Sequence, residues 1–103
     1  MVFSKQREVS HLELYWQQKR RGQRLMLDYG EDGVAEVGGV RETKRGFDAF
    51  AKTVSYDPGR SEKGMGSMEE AKAFVESHRP WELYRGTEAL TVQPEVKPAP
   101  SED

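Results

Sequence analysis

A chain of 103 residues is long enough for one compact domain with a small core. It has no cysteine, which excludes disulfides and thiolate metal ligands and favours the reducing cytoplasm as its location. No apolar run approaches the roughly 20 residues of a membrane span, and the N-terminus lacks the apolar segment of a signal peptide. The net charge is −2, but residues 1–24 are basic and residues 86–103 are acidic.

The first predicted element is a helix at about 11–21. Ser10 followed by Glu13 fits a capping box, and Gly22 is a natural residue just beyond a helix C-terminus. These signals favour the helix. A strand is the alternative, because apolar residues also alternate in this segment, at Leu12, Leu14 and Trp16.

Strands are predicted for most of the chain that follows. Alternation predicts a strand at 25–29, and turn residues at 30–33 lead to a weaker strand at 34–40. Residues 46–56 are rich in β-forming side chains, and a short strand at 60–64 precedes the next helix.

A second helix is predicted at about 68–78, ended by Pro80. Ser67 and Glu70 form a capping box at its start. Its apolar residues recur at helical spacing, at Met68, Ala71, Phe74 and Val75. The fold class expected is therefore α+β: an antiparallel sheet of three or more strands packed against helices at about 11–21 and 68–78.

The glycines before the second helix raise the question of a phosphate-binding loop. Gly59 and Gly64 have the spacing of a P-loop, but Met65 stands where that loop requires lysine. The cap and the turn explain these residues without a nucleotide, so no cofactor is expected.

The domain organisation predicted is an N-terminal arm at 1–8, a single α+β domain at 9–85 and a tail at 86–103. The tail contains prolines, is acidic and has few apolar residues, which predicts disorder.

The stretch GMGSMEEAK at 64–72, entered after a helix and three strands, resembles the second-helix start of double-stranded RNA-binding domains. The resemblance covers residues 9–84 and implies an α-β-β-β-α order. It also implies lysines that bridge RNA phosphates at this helix start. Only Lys72 of the three is kept, because Met68 and Glu69 stand at the other two positions. The chain therefore resembles a degenerate member of that family, in which the RNA-binding surface is reduced.

No catalytic or metal-binding constellation is evident in the sequence. His11 and His78 are the only histidines and are far apart, and no serine, carboxylate pair or motif marks a catalytic group. We expect no enzyme activity, no catalytic residues and no metal.

The function expected is that of a small non-catalytic accessory or regulatory module that binds a macromolecular partner. A protein partner is favoured because the chain is acidic overall. The alternatives are binding of structured RNA or another nucleic acid through a basic patch and, last, a small enzyme. No membrane partner is expected, and a homodimer is compatible with the sequence. The partner-binding residues predicted are Lys19, Arg20, Arg21, Arg24, Arg60, Lys63, Lys72 and Trp81.

Overall fold

The structure is a computed structural model that describes residues 12–30, 33–53, 59–84, 87 and 90–99. Within these ranges five strands form one antiparallel sheet whose spatial order follows the chain: β1 (Glu13–Lys19), β2 (Gly22–Asp28), β3 (Val34–Thr43), β4 (Gly46–Ala51) and β5 (Arg60–Met65). They are followed by one α-helix, α1 (Met68–Ser77), and a short 3-10 helix (Pro80–Leu83). The fold is mostly β, so the predicted α+β class is wrong. The α-β-β-β-α order implied by the resemblance to RNA-binding domains is not found either.

The helix predicted at 11–21 is wrong, because Glu13–Lys19 forms strand β1. As a strand this segment buries side chains on both faces of the sheet, with Leu14 and Trp16 on one face and Tyr15 on the other. A helix of the same residues would bury only one stripe. The burial of a large aromatic residue on each face therefore favours the strand. Ser10 and His11 lie outside the described residues, as does the predicted arm at 1–8.

Gly22 begins strand β2 and does not end a helix. Its φ is 156°, and a Cβ atom placed on it would lie 2.0 Å from the carbonyl oxygen of Val40 on β3. The glycine is therefore required by the close approach of two strands at the point where β1 turns into β2.

The strand predicted at 34–40 is part of β3 (Val34–Thr43), the longest strand in the described ranges. A bulge between Leu25 and Met26 interrupts the pairing of β2 with β3, and a second one lies between Phe47 and Ala49, where β4 meets β5. Bulges of this kind increase the local twist of a sheet.

Helix α1 covers one face of the sheet and closes the core. The buried apolar residues come from four strands, α1 and the 3-10 helix: Leu14, Trp16, Leu25, Leu27, Val37, Val40, Ala49, Ala51, Ala71, Val75 and Trp81. Met68 and Phe74 pack against them from the helix. No helix within the described ranges is both long and apolar enough to cross a membrane.

The predicted capping residue of α1 is confirmed. The hydroxyl of Ser67 accepts the backbone N–H of Glu70 at 3.1 Å. The carboxylate of Glu70 accepts the backbone N–H of Gly66, at 3.3 Å, instead of that of the capping residue itself. The serine and the glutamate thus serve the helix start, as the sequence predicts, without a ligand.

The segment at 90–99 lies along the free edge of β1, and we call it the C-terminal strap. Gln93 N–H donates to Leu14 O at 2.9 Å, and Lys97 N–H donates to Trp16 O at 2.9 Å. Gln18 N–H donates back to Lys97 O at 2.8 Å, which makes a parallel bridge. This differs from the disorder predicted for the tail. Backbone hydrogen bonds to a strand edge do not require apolar side chains, so composition did not reveal them.

Candidate binding site at one end of the sheet

Two hairpin turns of similar sequence lie at the same end of the sheet. In an antiparallel sheet whose strands follow chain order, alternate turns share an end. The β1–β2 turn is Arg20-Arg21, followed by Gly22, and the β3–β4 turn is Lys44-Arg45, followed by Gly46. The two turns are two strand spacings apart, about 10 Å. Each is a two-residue loop made of two basic residues.

Further basic residues flank these turns. Arg41 lies opposite Gly22 on β3, and Lys63 lies near the end of β5 that meets the β3–β4 turn. We call this surface the basic end, made up of Lys19, Arg20, Arg21, Arg41, Lys44, Arg45 and Lys63. None of these seven side chains forms an ion pair or a hydrogen bond with another described residue. Carboxylates of the same end are Glu42, Asp48, Glu69 and Glu70. The basic end therefore carries an excess of uncompensated positive charge.

Hydrogen bonds to backbone groups fix both turns. The amide of Gln18 donates to the carbonyl oxygens of Lys19 and Gly22, at 3.2 and 3.1 Å. In the second turn the hydroxyl of Thr43 accepts the N–H of Arg45 and donates to the carbonyl of Gly46, at 3.2 and 3.1 Å. The basic side chains thus project from backbone that is already ordered, which lowers the entropy lost on binding.

The backbone also joins the first turn to β3. Glu42 N–H donates to the carbonyl oxygen of Arg21 at 2.7 Å. The first turn is therefore attached to the strand that leads into the second turn. This contact makes the two turns parts of one surface.

An open cleft lies beside the second turn. It has a volume of about 480 Å³ and is lined by Thr43, Lys44, Arg45, Asp48, Lys63 and Gly64. Asp48 does not point free into it, because its Oδ1 accepts the backbone N–H of Gly64 at 2.9 Å. The carboxylate thus holds the end of β5 against the turn.

Of the partner-binding residues predicted from the sequence, the structure brings four to the basic end: Lys19, Arg20, Arg21 and Lys63. Arg24 lies further along β2, where its Nε donates to Gln17 at 2.9 Å. Arg60 lies at the far end of β5, opposite Ala51. These two residues therefore do not join the same cluster.

Lys72 faces the sheet from α1 and serves the contact between the two layers. Its Nζ donates to Gln23 Oε1 at 2.7 Å and lies 5.0 Å from the ring centre of Trp16. Burial lowers the pKa of Lys72, and the carboxylates of Glu76 and Glu69 oppose that shift. The lysine retained from the RNA-binding pattern therefore has a structural role.

Trp81 was predicted as a partner contact, but the structure places it in the core. Only 3 % of its surface is exposed, and the guanidinium of Arg79 lies 5.2 Å from its ring centre. Its Nε1 has no hydrogen-bond partner among the described residues. A side chain this buried is not available as a surface anchor.

Arg41, Lys44 and Arg45 are not among the residues predicted from the sequence. The signal was present as TKRG at 43–46, where two basic residues precede a glycine between two β-forming segments. Because residues 20–22 have the sequence of a helix end, the sequence does not reveal that 20–22 and 44–46 are similar turns.

The described residues contain no group of three or more histidine, cysteine or acidic side chains placed to hold a metal ion. His78 packs against Phe74, with ring centres 4.8 Å apart. Comparison with known proteins found no matching family model, no matching curated protein and no matching solved structure. The resemblance to RNA-binding domains therefore stays a hypothesis from sequence.

Proposed function

We propose that this chain is a small non-catalytic module that binds an acidic surface of a partner protein through its basic end. The observation that carries the proposal is the pairing of two basic hairpin turns, Arg20-Arg21 and Lys44-Arg45, on one end of one sheet. Charges on exposed turns contribute little to folding. Their clustering on ordered backbone therefore favours a role in binding.

A protein partner is favoured over a nucleic acid by the charges around the basic end. Glu42 and Asp48 alternate with its cations, and Glu69 and Glu70 stand at the start of α1 on the same end. A nucleic-acid backbone offers negative charge continuously and is repelled by each of these carboxylates. An acidic protein surface offers charge at separate points, which suits a mixed surface better.

The test compares charge reversal with charge conservation at the same positions. Capture of partners from cells of the native host is measured with wild type, with Arg20→Glu/Arg21→Glu and with Lys44→Glu/Arg45→Glu. The matched control is Arg20→Lys/Arg21→Lys, which keeps the charge. We expect both reversals to abolish capture of acidic partners and the control to keep it. Equal capture by all four proteins would contradict the proposal.

Nucleic-acid binding is measured in parallel by fluorescence anisotropy, with labelled DNA duplexes and RNA hairpins at two salt concentrations. We expect no binding tighter than about micromolar at physiological salt, which is weaker than a dedicated site would show. Nanomolar binding that falls steeply with salt and is lost in Arg20→Glu/Arg21→Glu would put the nucleic-acid function first.

A further inference from the structure

We propose that the cleft beside the β3–β4 turn binds a phosphorylated serine or threonine side chain of the partner protein. This inference rests on the proposed function, because the cleft is part of the basic end. It adds a chemical class of ligand and a site of about 480 Å³ that would hold it.

The first argument is convergence. Lys44 and Arg45 reach the cleft from a hairpin turn, and Lys63 reaches it from β5, which is separated from that turn by strand β4. None of the three has an ion pair or hydrogen bond with another described residue. Because three cationic residues line one concavity, an anion that enters the cleft is attracted by all three.

The second argument is the amount of charge. Three cations and the single carboxylate of Asp48 give the cleft lining a formal charge of +2. A phosphorylated side chain carries about −1.5 to −2 at neutral pH and offers three strong acceptor oxygens. A glutamate or aspartate carries half of that charge and leaves the cleft uncompensated. An arginine among the three donors adds the planar fork that suits phosphate oxygens.

The third argument is that the cleft is built before any ligand arrives. Gly46 has a φ of 130°, and a Cβ atom placed on it would lie 2.5 Å from the carbonyl oxygen of Met65. The first residue of β4, directly after the turn, therefore lies against the end of β5. Asp48 fixes the same end through Gly64 N–H, and Thr43 fixes the turn through Arg45 N–H and Gly46 O. Preorganised backbone leaves only the basic side chains to be ordered on binding.

The experiment follows backbone amide signals of the full ¹⁵N-labelled chain by NMR. The probes are inorganic phosphate, a short glycine-rich peptide with one phosphoserine, and the same peptide with serine or with glutamate at that position. The cleft variant is Lys44→Gln/Arg45→Gln/Lys63→Gln. The matched control is Lys52→Gln, which removes a cation at the opposite end of β4. Dispersed spectra show that each variant is folded.

We expect saturable shifts at 43–46 and 63–64 with the phosphoserine peptide, and binding at least about tenfold weaker with the glutamate peptide or with the cleft variant. Lys52→Gln should bind as wild type does. If inorganic phosphate binds more weakly than the phosphoserine peptide, the ligand of the site is a peptide-borne group. If inorganic phosphate binds more tightly than the peptide, a protein partner at the cleft is contradicted.

Three further outcomes overturn the inference. The first is a response to the glutamate peptide as strong as that to the phosphoserine peptide. The second is the absence of local shifts with the phosphoserine peptide. The third is a DNA or RNA duplex that binds the same residues more tightly than the peptide does. If acidic peptides bind the basic end without a preference for phosphate, the inference is contradicted but the proposed function is not. If partner capture is unchanged when Arg20 and Arg21 are replaced by glutamate, the proposed function itself is contradicted.

Discussion

Trp16 and Glu76 are 60 positions apart, and the indole Nε1 of the first donates a hydrogen bond of 2.7 Å to the carboxylate of the second. The bond joins strand β1 to helix α1. The ammonium of Lys72, from the same helix, lies over the ring of Trp16, 5.0 Å from the ring centre. The helix is thus held to the sheet by polar contacts at its border as well as by its apolar face.

Removing the acceptor should destabilise the fold. Glu76→Ala leaves the Nε1 of Trp16, a residue only 2 % exposed, without its partner, and we expect a loss of about 1–3 kcal/mol in the free energy of unfolding. Glu76→Gln keeps an acceptor oxygen and should lose less than half as much. Urea denaturation of the three proteins measures this. Equal losses for alanine and glutamine would show that the charge of Glu76, not its hydrogen bond, matters.

The partly buried ammonium of Lys72 should give a pH dependence of known sign. Its folded-state pKa is lowered from the ordinary 10.5, so between the two values the unfolded chain binds more protons than the folded one. Stability contributed by this residue therefore rises as pH rises through that window. Lys72→Arg stays protonated throughout. We expect the difference in unfolding free energy, wild type minus Lys72→Arg, to increase as the pH rises toward 10.5. A constant difference would contradict this.

The cap of α1 can be tested without disturbing the sheet. Ser67→Ala should cost about 0.5–2 kcal/mol, because it removes the acceptor for the N–H of Glu70. Ser67→Asp keeps an acceptor at the same place and adds a favourable charge at the helix start, so it should cost little. Thermal denaturation of both variants is sufficient. If the two variants lose the same stability, the cap hydrogen bond is not what holds the helix start.

Much of the fold could be predicted from the sequence after residue 22. The strands predicted at 25–29, 34–40 and 60–64 overlap β2, β3 and β5, and the second helix begins after its predicted capping residue. These elements were found because local pattern and tertiary burial agree in them.

The prediction of a helix at 11–21 is wrong because the local sequence signals favour a helix there, whereas the burial of the side chains favours a strand. Basic residues followed by Gly22 are typical of a helix C-terminus, and the β1–β2 turn has Arg-Arg where hairpins prefer Asn-Gly. What decides for the strand is that Tyr15 and Trp16 are buried on opposite faces, which depends on residues far along the chain. For the same reason the sequence does not reveal the second basic turn. It does not reveal the burial of Trp81 either, because that burial depends on tertiary packing.

The hairpin interpretation makes a prediction about two glycines. Gly22→Ala places a Cβ atom 2.0 Å from the carbonyl oxygen of Val40, so β2 and β3 must separate at the basic end. Gly33 also has a positive φ, 116°, but nothing lies within 4 Å of the position of its Cβ. We expect Gly33→Ala to cost about 1 kcal/mol from backbone strain alone, and Gly22→Ala to cost several times more. Urea denaturation ranks them, and equal costs would mean that the strand contact at Gly22 is loose.

The C-terminal strap makes the last prediction, because its contacts to β1 are backbone hydrogen bonds along the edge strand of the sheet. A chain that ends at Val92 loses the bonds of Gln93 and Lys97 to β1, the ion pair of Lys97 with Glu13 at 3.3 Å and the stacking of its Nζ over Tyr15 at 4.3 Å. Each backbone bond contributes roughly 0.5–1.5 kcal/mol, and ordering the segment offsets much of the total. We therefore expect a net loss of about 1 kcal/mol, which lowers the thermal midpoint by about 4–8 °C in a domain of this size.

The matched control is a chain that ends at Ala99, which keeps every one of these contacts and should melt at the same temperature as the full-length protein. Lys97→Ala, which removes the ion pair and the stacking but keeps the backbone bonds, should fall between the two. If the chains ending at Val92 and Ala99 melt together, the strap does not contribute to stability, and the edge of β1 is open to other strands.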